Sequence, residues 1–347
     1  MVVVSQHTPQ DLQHLLMGMN YDRIFILSDN NTRKQCVEAL MHLPALQGAV
    51  QMVVNTGEMT KSLETAAYLW RILKDEAATR HSLLLSVGGG MITDLGGFVA
   101  AAFKRGMQCV HVSTSLLGAV DAATGGKTGV NFEGYKNMIG FFYQPKHVIV
   151  AVDFFATLDT QQLLSGYAEM LKHALIASKE DWLKTIAWDT ETMAIDQLSI
   201  LLERNIAIKQ HIVDMDPEEQ SLRKVLNFGH TIGHAIESWT HQTQQPQPHG
   251  YAVMWGIVAE VFLSHKKLGF PVTYLQQLMS LMKQAYGRPA FTCKDYELLC
   301  ELMQQDKKNM DAEHINFTLL RNLGLPEINQ TATQEEIHEA LDFLREG

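Results

Sequence analysis

The sequence is short of several features that would narrow its class. Only four cysteines occur in 347 residues, Cys36, Cys109, Cys293 and Cys300, with no CxxC spacing. That excludes a small disulfide framework and leaves reduced thiols as the expectation. Positive charge is in deficit: 28 Lys and Arg face 38 Asp and Glu, a net charge of −10. This argues against nucleic acid or an anionic membrane as the main partner. No apolar run reaches the ~18 residues of a membrane span. The segment MVVVSQHTPQ has neither a basic stretch nor a long apolar one, so no export signal is expected and the cytoplasm is the expected compartment. What remains is an ordinary globular composition, 46% apolar and 19% charged. At roughly 150 residues per domain, it suits two domains.

Up to about residue 155, short β-rich runs alternate with helical patterns. Arg23–Ser28, Ala49–Asn55, Ser82–Val87, Cys109–Val112 and Val148–Val152 read as strands, while Lys34–Leu43 and Lys61–Lys74 have helical spacing. Continuous apolar strands between helices predict a mostly parallel, Rossmann-like sheet covered on both faces. Beyond Asp153, Leu163–Ile176, Ile195–Asp214, Leu222–Trp239, Tyr251–Leu268 and Tyr274–Tyr286 read as helices. The Gln/Pro segment His241–Pro248 reads as a loop, and Asn316–Leu320 as a short strand or hairpin. The expectation is an α/β domain over 1–155 followed by an all-α, metal-binding domain over 156–347, with the cleft between them as the default site.

Three clusters carry chemistry. Gly88-Gly89-Gly90 follows a strand and opens a helix containing Asp94; backbone amides there can meet a pyrophosphate, although a glycine turn alone can be purely structural. The segment Thr114–Gly140 reads as a loop that sets Asp121, Lys127, Lys136 and Asn137 among glycines, a composition suited to anion binding, with a plain surface loop as the alternative. His230 and His234 lie four residues apart and can share one metal, with Glu169 and His249 as further candidates on separate helices. The HExxH protease motif is absent, because Thr231 stands where its glutamate is required. Upstream, Glu219, Arg223 and Asn227 precede His230 at spacings of four, four and three. That places them along one stripe of a helix starting near Pro217.

The motifs GGGMITDLGGFVAAAFKRG, DAATGGKTGVN, KNMIGFFYQP, SGYAEMLKH, LNFGHTIGHAIE and HGYAV, in that order, resemble the 3-dehydroquinate synthase family of the sugar-phosphate cyclases. The likeness runs from about Arg23 to Leu320. It implies a dehydroquinate synthase-like fold that binds NAD and a divalent metal, Zn²⁺ or Co²⁺. It further implies that Glu169, His230 and His249 hold the metal while His234 and Glu219 handle protons. NAD would meet Asp29, Asn31, Glu58, Lys61, Gly89, Gly90, Asp94, Thr114, Ser115, Lys136 and Thr157. The substrate, a small phosphorylated carboxylate, would meet Asp121, Lys127, Asn137, Lys172, Lys209, Arg223, Asn227 and Lys307. Arg105 would reach the substrate phosphate of a neighbouring subunit in a homodimer. Ser113, Gln162, Tyr251 and Thr93 depart from the family pattern without removing a ligand or a charged contact. The implied reaction converts 3-deoxy-D-arabino-heptulosonate 7-phosphate into 3-dehydroquinate and phosphate. The competing readings are an NAD- and metal-dependent polyol or glycerol-phosphate dehydrogenase, or another sugar-phosphate cyclase.

Overall fold

Strands β2 (Ile24–Asp29) and β4 (Leu83–Gly88) are buried at every residue, as expected of parallel strands covered on both faces. A computed structural model describes residues 1–133, 135–192, 194–304 and 315–347. The chain forms two units, Met1–Gly166 and Tyr167–Gly347.

In the first unit, six strands pair in the order β1-β8-β5-β4-β2-β3, all parallel. The others are β1 (Val2–Ser5), β3 (Val50–Val54), β5 (Gln108–Ser113) and β8 (His147–Ala151). Helix α1 (Thr8–Met17) and the helical segment 30–40 pack on one face, against Ile24, Ile26, Leu85 and Val110. Helices α2 (Leu63–Asp75) and α3 (Gly90–Ala102) cover the other, against Phe25, Leu27 and Leu84. From β2 the chain moves outward to β3, then returns to β4 on the other side of β2. The winding therefore reverses between β2 and β4, the place where open α/β sheets bind ligands beyond their strand ends.

Two features of this unit were not read from the sequence. β1 is only four residues long, and its partner β8 lies far along the chain. The glycine-rich stretch after Thr114 is not a loop: it holds a short helix (Leu116–Val120) and an antiparallel hairpin of β6 (Lys127–Phe132) and β7 (Tyr135–Phe142). Glycines let α3 lie close to both neighbours. A Cβ at Gly96 would stand 2.0 Å from Ser86 Oγ, and one at Gly97 would stand 2.5 Å from Thr128 Cγ2 on β6.

The second unit is mostly helical. Its elements are the latter part of α4 (Thr160–Ala177), then α5 (Lys179–Ile186), α6 (Ile195–Met215), α7 (His230–Gln242), α8 (His249–Leu268), α9 (Val272–Leu281), α10 (Tyr296–Gln304) and α11 (Gln334–Glu346). A hairpin of β9 (Asn316–Asn322) and β10 (Leu325–Thr331) accompanies them, as Asn316–Leu320 suggested. The single helix expected over Leu222–Trp239 does not form. A 3-10 turn, Leu222–Asn227, is separated from α7 by Gly229, whose φ is +79°. Among the described residues, no helix is long and apolar enough to cross a membrane.

Candidate functional site

The second unit gathers Glu169 of α4 with the first residues of α7 and α8, His230 and His249. One donor atom from each lies within 4.8 Å of the others. Glu169 Oε1 is 3.2 Å from His230 Nε2 and 3.4 Å from His249 Nε2. Metal bonds of 2.0–2.2 Å at tetrahedral angles put neighbouring donors about 3.4 Å apart. Glu169 is fully buried, and neither of its carboxylate oxygens has a hydrogen bond of normal geometry. A divalent cation would satisfy that arrangement.

The surrounding groups aim these donors. His230 Nδ1–H donates to the Phe228 carbonyl at 3.0 Å, and His249 Nδ1–H donates to Glu237 Oε2 at 3.1 Å. Each ring therefore turns Nε2 toward Glu169, the usual arrangement behind a ligating imidazole. Lys172 Nζ pairs with Glu169 Oε2 at 2.5 Å and leaves Oε1 to the histidines. Burial opposes charge on Glu169, but Lys172 and His230 hold its carboxyl well below the usual range. Burial also opposes charge on His249, yet Glu237 and Glu169 outweigh it and push the imidazole up to about 10. Metal uptake must then displace a proton. His234 is half-buried, its ring 5.0 Å from that of His230 and 5.9 Å from that of His249. With Glu237 and His249 it forms a second group of closely placed donors.

The stripe expected over Glu219, Arg223, Asn227 and His230 does not lie on one α-helix: Arg223 and Asn227 fall in the 3-10 turn and His230 opens α7. The Asp216 carboxylate accepts the amides of Gln220, Ser221 and Arg223 at 3.0, 2.7 and 3.0 Å, and so competes with helix formation there. Glu219 has φ +61°. The loop nevertheless brings Asn227 Nδ2 to within 2.9 Å of Glu219 Oε1 and buries Arg223, whose Nη1 donates to the Pro217 carbonyl at 2.7 Å. Lys209 is buried on α6. Lys307 lies outside the described residues.

In the first unit, most candidate nucleotide residues follow the carboxyl ends of parallel strands: Asp29 and Asn31 at β2, Glu58 and Lys61 after β3, Gly89 and Gly90 after β4, Thr114 and Ser115 after β5, and Thr157 after β8, whereas Lys136 lies on β7. Asp29 ends β2, and its carboxylate accepts the amides of Asn31 and Thr32 at 2.8 and 2.9 Å. Gly89 and Gly90 lead from β4 into α3, so no side chain covers that helix's first amides. Thr114 N–H donates to the Gly88 carbonyl at 3.0 Å, and Ser115 Oγ accepts from Gly118 N–H at 3.2 Å. Buried Lys61 pairs with Glu58 at 3.1 Å and Asp94 at 3.0 Å. Burial lowers the Lys61 pKa, but the two carboxylates more than offset this and raise it. Thr157 Oγ1 donates to the Phe154 carbonyl at 2.7 Å.

Asp121 follows the short helix and is half-buried, whereas Lys127, Lys136 and Asn137 are exposed on the hairpin. The Asn137 amide donates to Asn131 Oδ1 at 2.9 Å. Lys104 and Arg105 have positive φ, 49° and 66°. Arg105 lines a surface pocket with Arg80, His81 and Lys146. Two acids went unremarked in the sequence: Glu237, behind His249, and Glu260, whose oxygens meet the amides at the start of α7. A buried acid inside an apolar helical pattern was the available signal.

Residues 51–165 match the family model for the 3-dehydroquinate synthase N-terminal domain, and residues 166–309 match the model for its C-terminal domain. The chain belongs to the 3-dehydroquinate synthase family. The 3-dehydroquinate synthase of Parabacteroides distasonis is 48% identical over 346 residues, covering 100% of this chain and 98% of that protein. Two solved synthases share the fold. The 2-epi-5-epi-valiolone synthase of Streptomyces hygroscopicus subsp. jinggangensis 5008, with NAD⁺ and Zn²⁺ bound, is 25% identical with a TM-score of 0.87, covering 99% of this chain and 96% of that one. A 2-deoxy-scyllo-inosose synthase complexed with carbaglucose-6-phosphate, NAD⁺ and Co²⁺ is 22% identical with a TM-score of 0.88, covering 98% and 95%.

Proposed function

We propose that the chain converts 3-deoxy-D-arabino-heptulosonate 7-phosphate into 3-dehydroquinate and phosphate with NAD and one divalent metal, Zn²⁺ or Co²⁺. The carrying observation is the Glu169/His230/His249 donor set, with Oε1–Nε2 separations of 3.2 and 3.4 Å and both imidazoles held at Nδ1. Three protein donors leave coordination positions open for substrate, as a catalytic rather than a structural site requires. The strong full-length relative favours dehydroquinate over the other cyclase products and over a dehydrogenase reaction.

Glu169, His230 and His249 would hold the metal, which would supply Lewis acidity at the C5 hydroxyl, and bound NAD would supply reversible hydride transfer at C5. The chain's own residues do the rest. The amides behind Gly89–Gly90 and the groups Asp29, Lys61 and Asp94 hold the dinucleotide at the switch between β2 and β4. Lys127, Lys209, Arg223 and Arg105 neutralise the substrate's carboxylate and phosphate; guanidinium contacts also fix its orientation. His234, beside the two metal histidines, moves protons at the substrate oxygens. Glu219, held by Asn227, is the second acid–base group. Loss of the C6 proton from the transient ketone expels phosphate; ring opening and an aldol closure complete the carbocycle. The working form is a cytoplasmic homodimer in which Arg105 serves the neighbouring subunit.

Incubation with the heptulosonate phosphate, NAD⁺ and Zn²⁺ tests this. One phosphate should appear per dehydroquinate, with no accumulating NADH. Accumulating NADH without phosphate release would establish a dehydrogenase instead.

A further inference from the structure

Glu260 lies on α8 about three turns beyond His249 and is fully buried. Its carboxyl group reaches the start of α7. Oε2 accepts the Gly229 amide at 2.6 Å, and Oε1 accepts those of Thr231 and Ile232 at 3.0 and 3.1 Å. A helix normally satisfies its first amides with the side chain of its cap residue. Here the cap is Gly229, which has none, and a neighbouring helix supplies the acceptor. The approach depends on Gly256: a Cβ there would stand 2.0 Å from the Gly229 carbonyl oxygen and 2.6 Å from the Gly233 amide nitrogen. Ser264 Oγ donates to the Glu260 carbonyl at 2.6 Å and accepts the Leu320 amide at 2.9 Å, tying the same stretch of α8 to β9.

His230 and His249 are the first residues of α7 and α8. The contact that sets the start of α7 against α8 therefore sets the offset between the two imidazoles. It also governs the aim of one of them, because His230 Nδ1–H donates to the carbonyl of Phe228, the residue next to Gly229. We propose that Glu260 is a positioning residue of the metal site, fixing His230 relative to His249 before the ion arrives. This rests on Glu169, His230 and His249 being the ligands.

The test is titration of the metal-free, full-length protein with Co²⁺, followed by visible absorption, for wild type, Glu260→Gln and Glu260→Ala. Glu260→Gln retains one acceptor oxygen and should weaken Co²⁺ binding several-fold while keeping the wild-type absorption band. Glu260→Ala should weaken binding by about 10- to 100-fold, the usual range for losing an outer-shell partner, and should shift the band. Should Glu260→Ala fail to fold, Glu260→Gln decides. A folded Glu260→Gln with wild-type affinity, melting at a lower temperature equally with and without Co²⁺, would reduce Glu260 to a stabilising role and overturn the proposal. Amide exchange in the metal-free wild type gives an arm that needs no variant. Gly229, Thr231 and Ile232 should already be protected; protection arising only on Co²⁺ addition would also overturn it. A wild type that takes up no Co²⁺ would instead contradict the ligand assignment.

Discussion

The two units prepare for their ligands in different ways. In the second, side chains do the work: a buried carboxylate faces two imidazoles, each fixed by a further hydrogen bond, and the donors already stand near metal-bonding separations. In the first, backbone does more of it: strand ends and a glycine turn present amides at the sheet's switch point, and Lys127, Lys136 and Asn137 are exposed on a hairpin. The difference follows from the ligands. A small divalent ion rewards a rigid, preset cage, whereas phosphates and a dinucleotide are large enough to be met by amides and by long cations that settle on contact.

The sharpest way to break this contrast is His230→Ala. With one of three donors gone, metal content should fall to background and phosphate release should drop by more than the ~100-fold that losing an orienting partner costs. Elemental analysis beside a phosphate assay checks both. Lys127→Ala probes the other unit. Its exposure predicts an intact fold by circular dichroism, while loss of a charged contact of about 1.5–3 kcal/mol should cut turnover roughly 10- to 150-fold. Unchanged turnover would remove Lys127 from the site. Glu237→Ala should cost about 10- to 100-fold in Zn²⁺ affinity, measured by chelator competition, because His249 loses the partner that aims it.

Acid supplies a subtler contrast. Burial without a partner for Nδ1 pushes His111 on β5 down to about 4, so the folded first unit keeps it neutral. The unfolded chain protonates it near 6.5. Its contribution is complete above that pH and is lost as pH falls toward 4, by up to roughly 3 kcal/mol. Urea melts of wild type and His111→Gln across pH 4 to 7 should show the variant losing less. Parallel curves would discount His111.

Much of this was legible in the residues. Buried parallel strands read as unbroken apolar runs, and so Arg23–Ser28 and Ser82–Val87 fell within a residue of Ile24–Asp29 and Leu83–Gly88. The β6–β7 hairpin was not, because its glycines and its exposed Tyr135, Met138 and Phe142 blur the alternation that marks a strand. Glu169, His230, His234 and His249 all showed as candidate donors, whereas the choice of Glu169, His230 and His249 as the ligands, with His234 left to handle protons, came from the family likeness. The break at Gly229 stayed hidden, since helical spacing continues through it and the interruption comes from Glu260 and Ile257 on another helix. The partner of Glu237 stayed hidden for the same reason: it is set by how α7 meets α8, not by distance along the chain.

X-ray absorption at the zinc edge, on full-length protein loaded with Zn²⁺, addresses the preset cage most directly. The geometry predicts one ion per chain, with two imidazole nitrogens at about 2.0–2.1 Å and carboxylate oxygen at about 2.0–2.2 Å. Less than stoichiometric uptake, or a coordination shell without two imidazoles, would contradict it.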